Sequence, residues 1–212
     1  MDFQRRGVML VIASPSGAGK SSISRSLFQQ DTNIRLSVSV TTRARRSDEV
    51  DGTHYHFVTV PTFDRLRAED GLLESAEVHG NYYGTPRAQV EEQLAAGKDI
   101  LFDVDYQGTL QLYEKCRDDM VTVFILPPTI DELRTRLDRR AQDSVGTIEK
   151  RLRNAHVELD HAGEYDYVII NSDLGQSVQK VTSILAAARL KRERQLNLAS
   201  FVKDLQSQID SL

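Results

Sequence analysis

A single cysteine, Cys116, stands in a chain of 212 residues. That excludes an intramolecular disulfide framework and suits a reducing compartment, where a lone cysteine is more often a small packed hydrophobe than a nucleophile. No apolar stretch approaches the ~20 residues that cross a bilayer. A basic surplus is also missing: the net charge is −4 and the pI near 5.8, which argues against general affinity for nucleic acid or an anionic membrane and makes any positive field local. The histidines, at 54, 56, 79, 156 and 161, have no cysteine partners and no H-E-x-x-H spacing, so no zinc site is expected. Internal repeats and low-complexity segments are absent. The first residues lack the apolar region and small-residue cleavage site of a secretory leader, and the expectation is a cytoplasmic protein.

What is there suffices for a core, with 40% hydrophobic and 27% charged residues in a length that suits one domain with an insertion or lid. The most informative segment is Ser14-Pro15-Ser16-Gly17-Ala18-Gly19-Lys20-Ser21-Ser22, set between the apolar run Val8–Ile12 and a helix-like stretch. Strand, glycine loop and helix in that order form a phosphate cradle. The loop turns its N–H groups toward an anion, the helix presents its positive end, Lys20 reaches outer phosphates and Ser21 can hold Mg²⁺. Ser14 replaces the first glycine of the usual G-x-x-x-x-G-K-[ST] pattern, so the turn is expected to relax there, because a Cβ makes positive φ less accessible.

The rest of the chain alternates buried strands with helices. Ile23, Leu27 and Phe28 share a face of a helix over 20–30, and 36–40 and 54–60 read as strands. Pro61 opens a short helix stopped by Gly71, 72–78 is a strand, and a helix over 86–96 ends at Gly97. Ile100-Leu101-Phe102-Asp103-Val104-Asp105 is an apolar strand ending in carboxylates, followed by a helix through Lys115. A continuous buried strand covers 121–126, Thr129 caps the next helix, and 167–170 is the last central strand. Such alternation implies a parallel sheet covered on both faces. The interrupting block 36–78 is richer in short alternating strands and reads as a small mixed β insertion.

Three polar clusters could carry chemistry. Asp103 stands where P-loop enzymes keep an acid for Mg²⁺, or serves as a strand-end helix cap. Arg43 and Arg46 can converge on one anion through charge-assisted forks, or form a solvated basic face; the insertion adds Tyr55, Glu74 and Gly80-Asn81-Tyr82-Tyr83-Gly84-Thr85, by composition a turn-rich aromatic surface. Arg136, Arg139, Arg140 and Arg151 lie on segments too polar for a core. They make either a solvated helix pair or a mobile lid whose arginines meet phosphates.

Taken together, SPSGAGKSS, SVSVTTRARRSDEVDGTHYHFV, GNYYGTP and LFDVDYQG resemble the guanylate kinase family over about residues 7–188. That resemblance implies a P-loop α/β fold, a parallel sheet flanked by helices with a small mixed β nucleoside-monophosphate-binding insertion and a helical lid. It implies core segments 1–35, 87–135 and 153–188, an insertion 36–86, a lid 136–152 and a helical extension 189–212. It also implies transfer of a phosphoryl group from ATP to GMP, and by extension dGMP, with Mg²⁺. ATP is then expected on Ser14 to Ser22 and Asn171. Arg43, Arg46, Tyr55 and Tyr83 would grip the GMP phosphate, Ser39, Glu74, Thr85 and Asp105 would surround guanine, and Lys20, Arg136, Arg140 and Arg151 would meet the transferring phosphate. Ser21 and Asp103 are the metal pair. Family spacing favours Arg140 over Arg139 as the inward residue. The base chemistry agrees, since guanine's adjacent N1–H and N2–H donors suit carboxylates and adenine's N1 lone pair does not.

Two other readings share the scaffold. Guanylate-kinase-like domains of scaffold proteins bind peptides and typically lack a working phosphate loop, whereas Gly19-Lys20-Ser21 is intact here. A kinase for another small phosphate ester would not need Glu74 and Asp105 to face paired donors. Finally, Leu198, Val202, Leu205, Ile209 and Leu212 are spaced as a seam for a partner helix, in a second copy or in the same domain, although two heptads fall short of a coiled coil.

Overall fold

The computed structural model describes residues 4–140 and 145–212, and side chains outside 140 and 145–148. The chain runs β1 (Met9–Ala13), α1 (Lys20–Gln30), β2 (Ile34–Leu36), β3 (Val40–Thr41), β4 (His56–Phe57), α2 (Val60–Ala68), β5 (Leu72–Val78), β6 (Asn81–Pro86), α3 (Arg87–Ala95), β7 (Asp99–Phe102), α4 (Tyr106–Cys116), β8 (Met120–Leu126), α5 (Ile130–Arg140), α6 (Val145–Asp160), β9 (Tyr167–Ile170), α7 (Leu174–Arg189) and α8 (Leu198–Asp210).

Five strands pair in parallel in the order β2-β7-β1-β8-β9. Parallel neighbours need long crossovers, and the helices that supply them cover both faces. Alternation along β1 divides the core accordingly. Leu10 and Ile12 pack with Ile23 and Leu27 of α1 and Val181 and Leu185 of α7, while Met9 and Val11 pack with Leu94 of α3 and Leu112 of α4. At the amino ends of the strands, fully buried Asp99 pairs with Arg5 (2.7 Å) and Arg189 (2.6 Å) and accepts the Val8 amide. The carboxyl ends are left for the site, where open α/β sheets bind their ligands.

The second sheet, β4-β3-β6-β5, is mixed: β3 and β4 are parallel and the other pairs antiparallel. Its small core is Val40, Phe63 and Leu72, with Phe63 stacked on Tyr82 at 5.4 Å.

Several expectations are corrected. The strand read over 36–40 is two strands in different sheets, since Leu36 pairs with Leu101 in the core and Val40 with Gly84 in the insertion. Period-two alternation shows strand character but not which sheet a strand joins. Over 54–60 only His56–Phe57 joins a strand. Thr59 accepts the Thr62 amide and starts α2 at Val60, with Pro61 in its first turn. The turn-rich 81–85 is strand β6, whose tyrosines pair with β3 and β5. The acidic strand ends at Phe102, so Asp103 and Asp105 follow it. β9 lies at the sheet edge and not at its centre.

Candidate active site

The loop after β1 turns on Gly17 (φ 94°) and Gly19 (φ 110°), conformations that only glycine adopts without strain. The expected relaxation at Ser14 is not needed, because among the described residues positive φ outside glycine occurs at Asp70 and His79 alone. Ser14 instead donates its hydroxyl to the Pro15 carbonyl at 3.0 Å. Two distant side chains fix the loop from behind. Asn171, following β9, donates to the Ala18 carbonyl at 2.7 Å and accepts from Ser177 at 2.9 Å. Arg136 on α5 donates to the same Ala18 carbonyl (3.3 Å), to the Asn171 carbonyl (3.0 Å) and to Glu132 (2.8 Å). Space is tight there, since a Cβ on Gly19 would stand 2.2 Å from Asn171 Nδ2.

Lys20, in the first turn of α1, forms an ion pair with Asp103, which stands just past β7 and is largely exposed. The residue expected to meet phosphates and the residue expected to meet metal are therefore partners. Ser21 and Asp103 line one open cleft of about 410 Å³ with Ser24, Arg25 and Leu101. A second cleft, about 300 Å³, is lined by Gly17, Gly19, Ser22, Arg136, Arg139 and Asn171. Arg139 thus faces the loop. The side chain of Arg140 lies outside the described residues, as does the 141–144 stretch of the expected lid. Half-buried Arg151, on α6, is engaged within the chain.

Across the strand ends, Glu74 of β5 is buried and accepts the Thr85 hydroxyl of β6 at 2.7 Å. Burial pushes its carboxyl up, Thr85 pulls it back and nearby Asp105 adds repulsion. Asp105 caps α4, accepting the Gly108 amide at 2.9 Å. Gly108 opens α4 beside Glu74: a Cβ there would stand 3.1 Å from Val104 Cβ and in ordinary contact, 3.5 Å, with Glu74 Oε2. Gln111 holds α4 and β5 together, bonding the Ser75 amide and carbonyl at 3.0 and 3.1 Å. Ser39 accepts the His56 amide on its carbonyl, placing it beside β4.

The arginine and tyrosine cluster gathers around a residue that the sequence did not single out. Glu49 accepts from Arg43 at 2.6 and 3.1 Å and from the Arg46 amide at 2.8 Å. Arg43 lies over the Tyr55 ring at 5.5 Å, and Tyr55 meets Tyr83 edge-on at 5.8 Å. Arg46 keeps its side chain exposed at the rim. The Arg43 guanidinium, first among the causes, holds the Glu49 carboxyl down to about 2. Glu158 was also missed. It stands seven residues after Arg151 and so on the same face of α6, a spacing that could have flagged it.

Among the described residues, no three metal-ligating side chains cluster and no helix is long and apolar enough to cross a membrane. Loop, lysine and acidic strand end are the parts with which P-loop phosphotransferases hold a nucleotide's phosphates, and the chain is of that class. Comparison narrows the class: the Guanylate kinase family model matches residues 6–188, and the chain belongs to the guanylate kinase family. The guanylate kinase of Rhizobium etli is 56% identical over 212 residues, covering 100% of this chain and 96% of that one. That of Mesorhizobium japonicum is 55% identical over 203 residues, covering 96% and 93%. The solved guanylate kinase of Anaplasma phagocytophilum superposes with a TM-score of 0.73 at 37% identity, covering 95% of this chain and 96% of that one.

Proposed function

We propose that the protein transfers the γ-phosphoryl group of ATP to GMP, giving ADP and GDP, and accepts dGMP as well. The observation that carries this reading is the buried Glu74, held by Thr85 beside Asp105 and across the strand ends from Lys20. That edge of oxygen acceptors fits the paired N1–H and N2–H donors of guanine and opposes the N1 lone pair of adenine.

In this account the outer phosphates of ATP lie on the loop from Ser14 to Ser22 and on Lys20, and its base enters the cleft beside Arg139 and Asn171. The GMP phosphate is held by Arg43, Arg46, Tyr55 and Tyr83, with Ser39, Glu74, Thr85 and Asp105 around the base. Its oxygen is already ionised and attacks in line, so no side chain needs to take a proton. Arg136, Arg140 and Arg151 offset the charge that spreads over the transferring group. Ser21 and Asp103 offer hard oxygen donors on one cleft, as Mg²⁺ requires. Mg²⁺ held there would supply charge neutralisation to the phosphates. The segments 36–86 and 136–152 are read as the parts that close over acceptor and donor, between core segments 1–35, 87–135 and 153–188.

A cytoplasmic location fits the chain, which uses small charged metabolites and has one free cysteine, Cys116. Val202, Leu205 and Ile209 expose an apolar stripe on α8, and we read the 189–212 extension as a contact for a second copy. Truncation after Asn197 leaves buried Arg194 bonded to the Gly7 carbonyl at 2.6 Å; a fall in mass by light scattering supports that contact and an unchanged mass removes it. The enzymatic reading is tested by a crystal grown with GMP and a non-hydrolysable ATP analogue: guanine on Glu74 supports it, and an acceptor bound elsewhere ends it.

A further inference from the structure

Glu158 is a half-buried acid that the proposed reaction does not use. It sits near the end of α6, and its side chain enters a small cavity of about 110 Å³ at the carboxyl ends of β1, β7 and β8, lined by Ser14, Lys20, Asp103, Asp105 and Tyr165. Its Oε2 atom is fully buried and has no hydrogen-bond partner. Its carboxyl lies near the backbone amide of Ser16 and within the field of Lys20. A backbone amide of the phosphate loop and the loop's lysine are the groups that a donor's outer phosphates require. A carboxylate that already faces both is an anion in the anion's place.

We propose that Glu158 is a positioning residue that stands in for the outer phosphates of ATP at the Ser16 amide when no donor is bound, and must leave it when ATP arrives. This inference rests on the loop being the ATP site. The cost falls on ATP affinity, because two anions compete for one amide and one ammonium group.

Burial raises the Glu158 carboxyl, while the Ser16 amide and Lys20 draw it back and Asp105 pushes it up.

Calorimetry on the intact protein tests the inference with Glu158→Gln and Glu158→Ala, using ATP and AMP as ligands. Both variants are expected to bind ATP about five- to tenfold more tightly, the size of effect that one nearby like charge produces at a partly exposed site. AMP has no outer phosphates, and its affinity is expected not to change. Weaker or unchanged ATP binding in Glu158→Gln overturns the proposal, as does an equal gain for AMP, which a general loosening of the fold would give. Lys20→Ala separates the two levels. If it leaves ATP affinity untouched, the loop is not the donor site; if it weakens ATP while Glu158→Gln gives no gain, only the role of Glu158 fails.

Discussion

Asn171 donates to the carbonyl of Ala18 at 2.7 Å, across 153 positions of sequence, and so ties the end of β9 to the middle of the phosphate loop. The loop's shape is therefore held by tertiary contact as well as by its glycines. Removing the carboxamide in Asn171→Ala leaves Ser177 and part of the Ala18 carbonyl without a partner, at a cost of about 1–3 kcal/mol. For a chain of this size that is a fall in Tm of about 2–12 °C, measured by calorimetry, together with a raised KM for ATP. An unchanged Tm would show that Arg136 alone holds the carbonyl.

Lys20→Ala is expected to lower kcat by a factor of ~10² or more, the usual size of losing a preorganised charge at a reacting phosphate. It also releases Asp103 from its ion pair. Rapid-quench or coupled turnover measures it, and wild-type turnover would remove Lys20 from the chemistry.

Glu74 gives a pH prediction. Burial raises its folded pKa above the ordinary glutamate value, so stability associated with its neutral form is present at low pH and lost as pH rises through the raised value. Acceptor binding has the opposite sign, since only the carboxylate accepts from both guanine donors. KM for GMP should climb as pH falls through that raised pKa, and the climb should vanish in Glu74→Gln, which also narrows the preference for GMP over AMP. An identical pH profile in the variant would contradict the assignment.

Glu49 shows the contrary shift. Held down to about 2 by Arg43, its carboxylate contributes stability that is fully present above the ordinary glutamate range and is lost only as pH falls toward 2. A ¹³C NMR titration should place its midpoint well below that of exposed glutamates. A midpoint near 4.5 would mean that the Arg43 pair does not form in solution.

At the opposite end of the sheet, Asp99→Asn removes the charge that Arg5 and Arg189 share. Breaking a buried pair of this kind costs about 3–5 kcal/mol. Thermal unfolding should register it as the largest loss among these variants.

Much of this architecture was legible from the chain. The phosphate loop, the buried strand at 121–126, the presence of a strand at 167–170 and the mixed insertion all follow from period, breaker residues and the G-K-S core. Other features were hidden because they are set by partners distant in sequence. Nothing local to Leu36-Ser37-Val38-Ser39-Val40 says that the chain crosses from one sheet to another between Leu36 and Val40. Nor does Glu49 advertise that it will draw Arg43 and the Arg46 amide together. Arg136 illustrates a third limit: the resemblance implies a phosphate contact, and the folded chain adds two carbonyl contacts, at Ala18 and Asn171, that nothing in its local sequence announces.

The central claim is an acceptor site built for a guanine monophosphate opposite a donor loop. Initial rates of ADP formation from Mg-ATP, measured with GMP, dGMP, AMP and ribose 5-phosphate in turn, test it most directly. Rapid turnover with GMP and dGMP and only background with AMP and the sugar phosphate is the predicted result; comparable turnover with AMP or the sugar phosphate, or none with GMP, would contradict it.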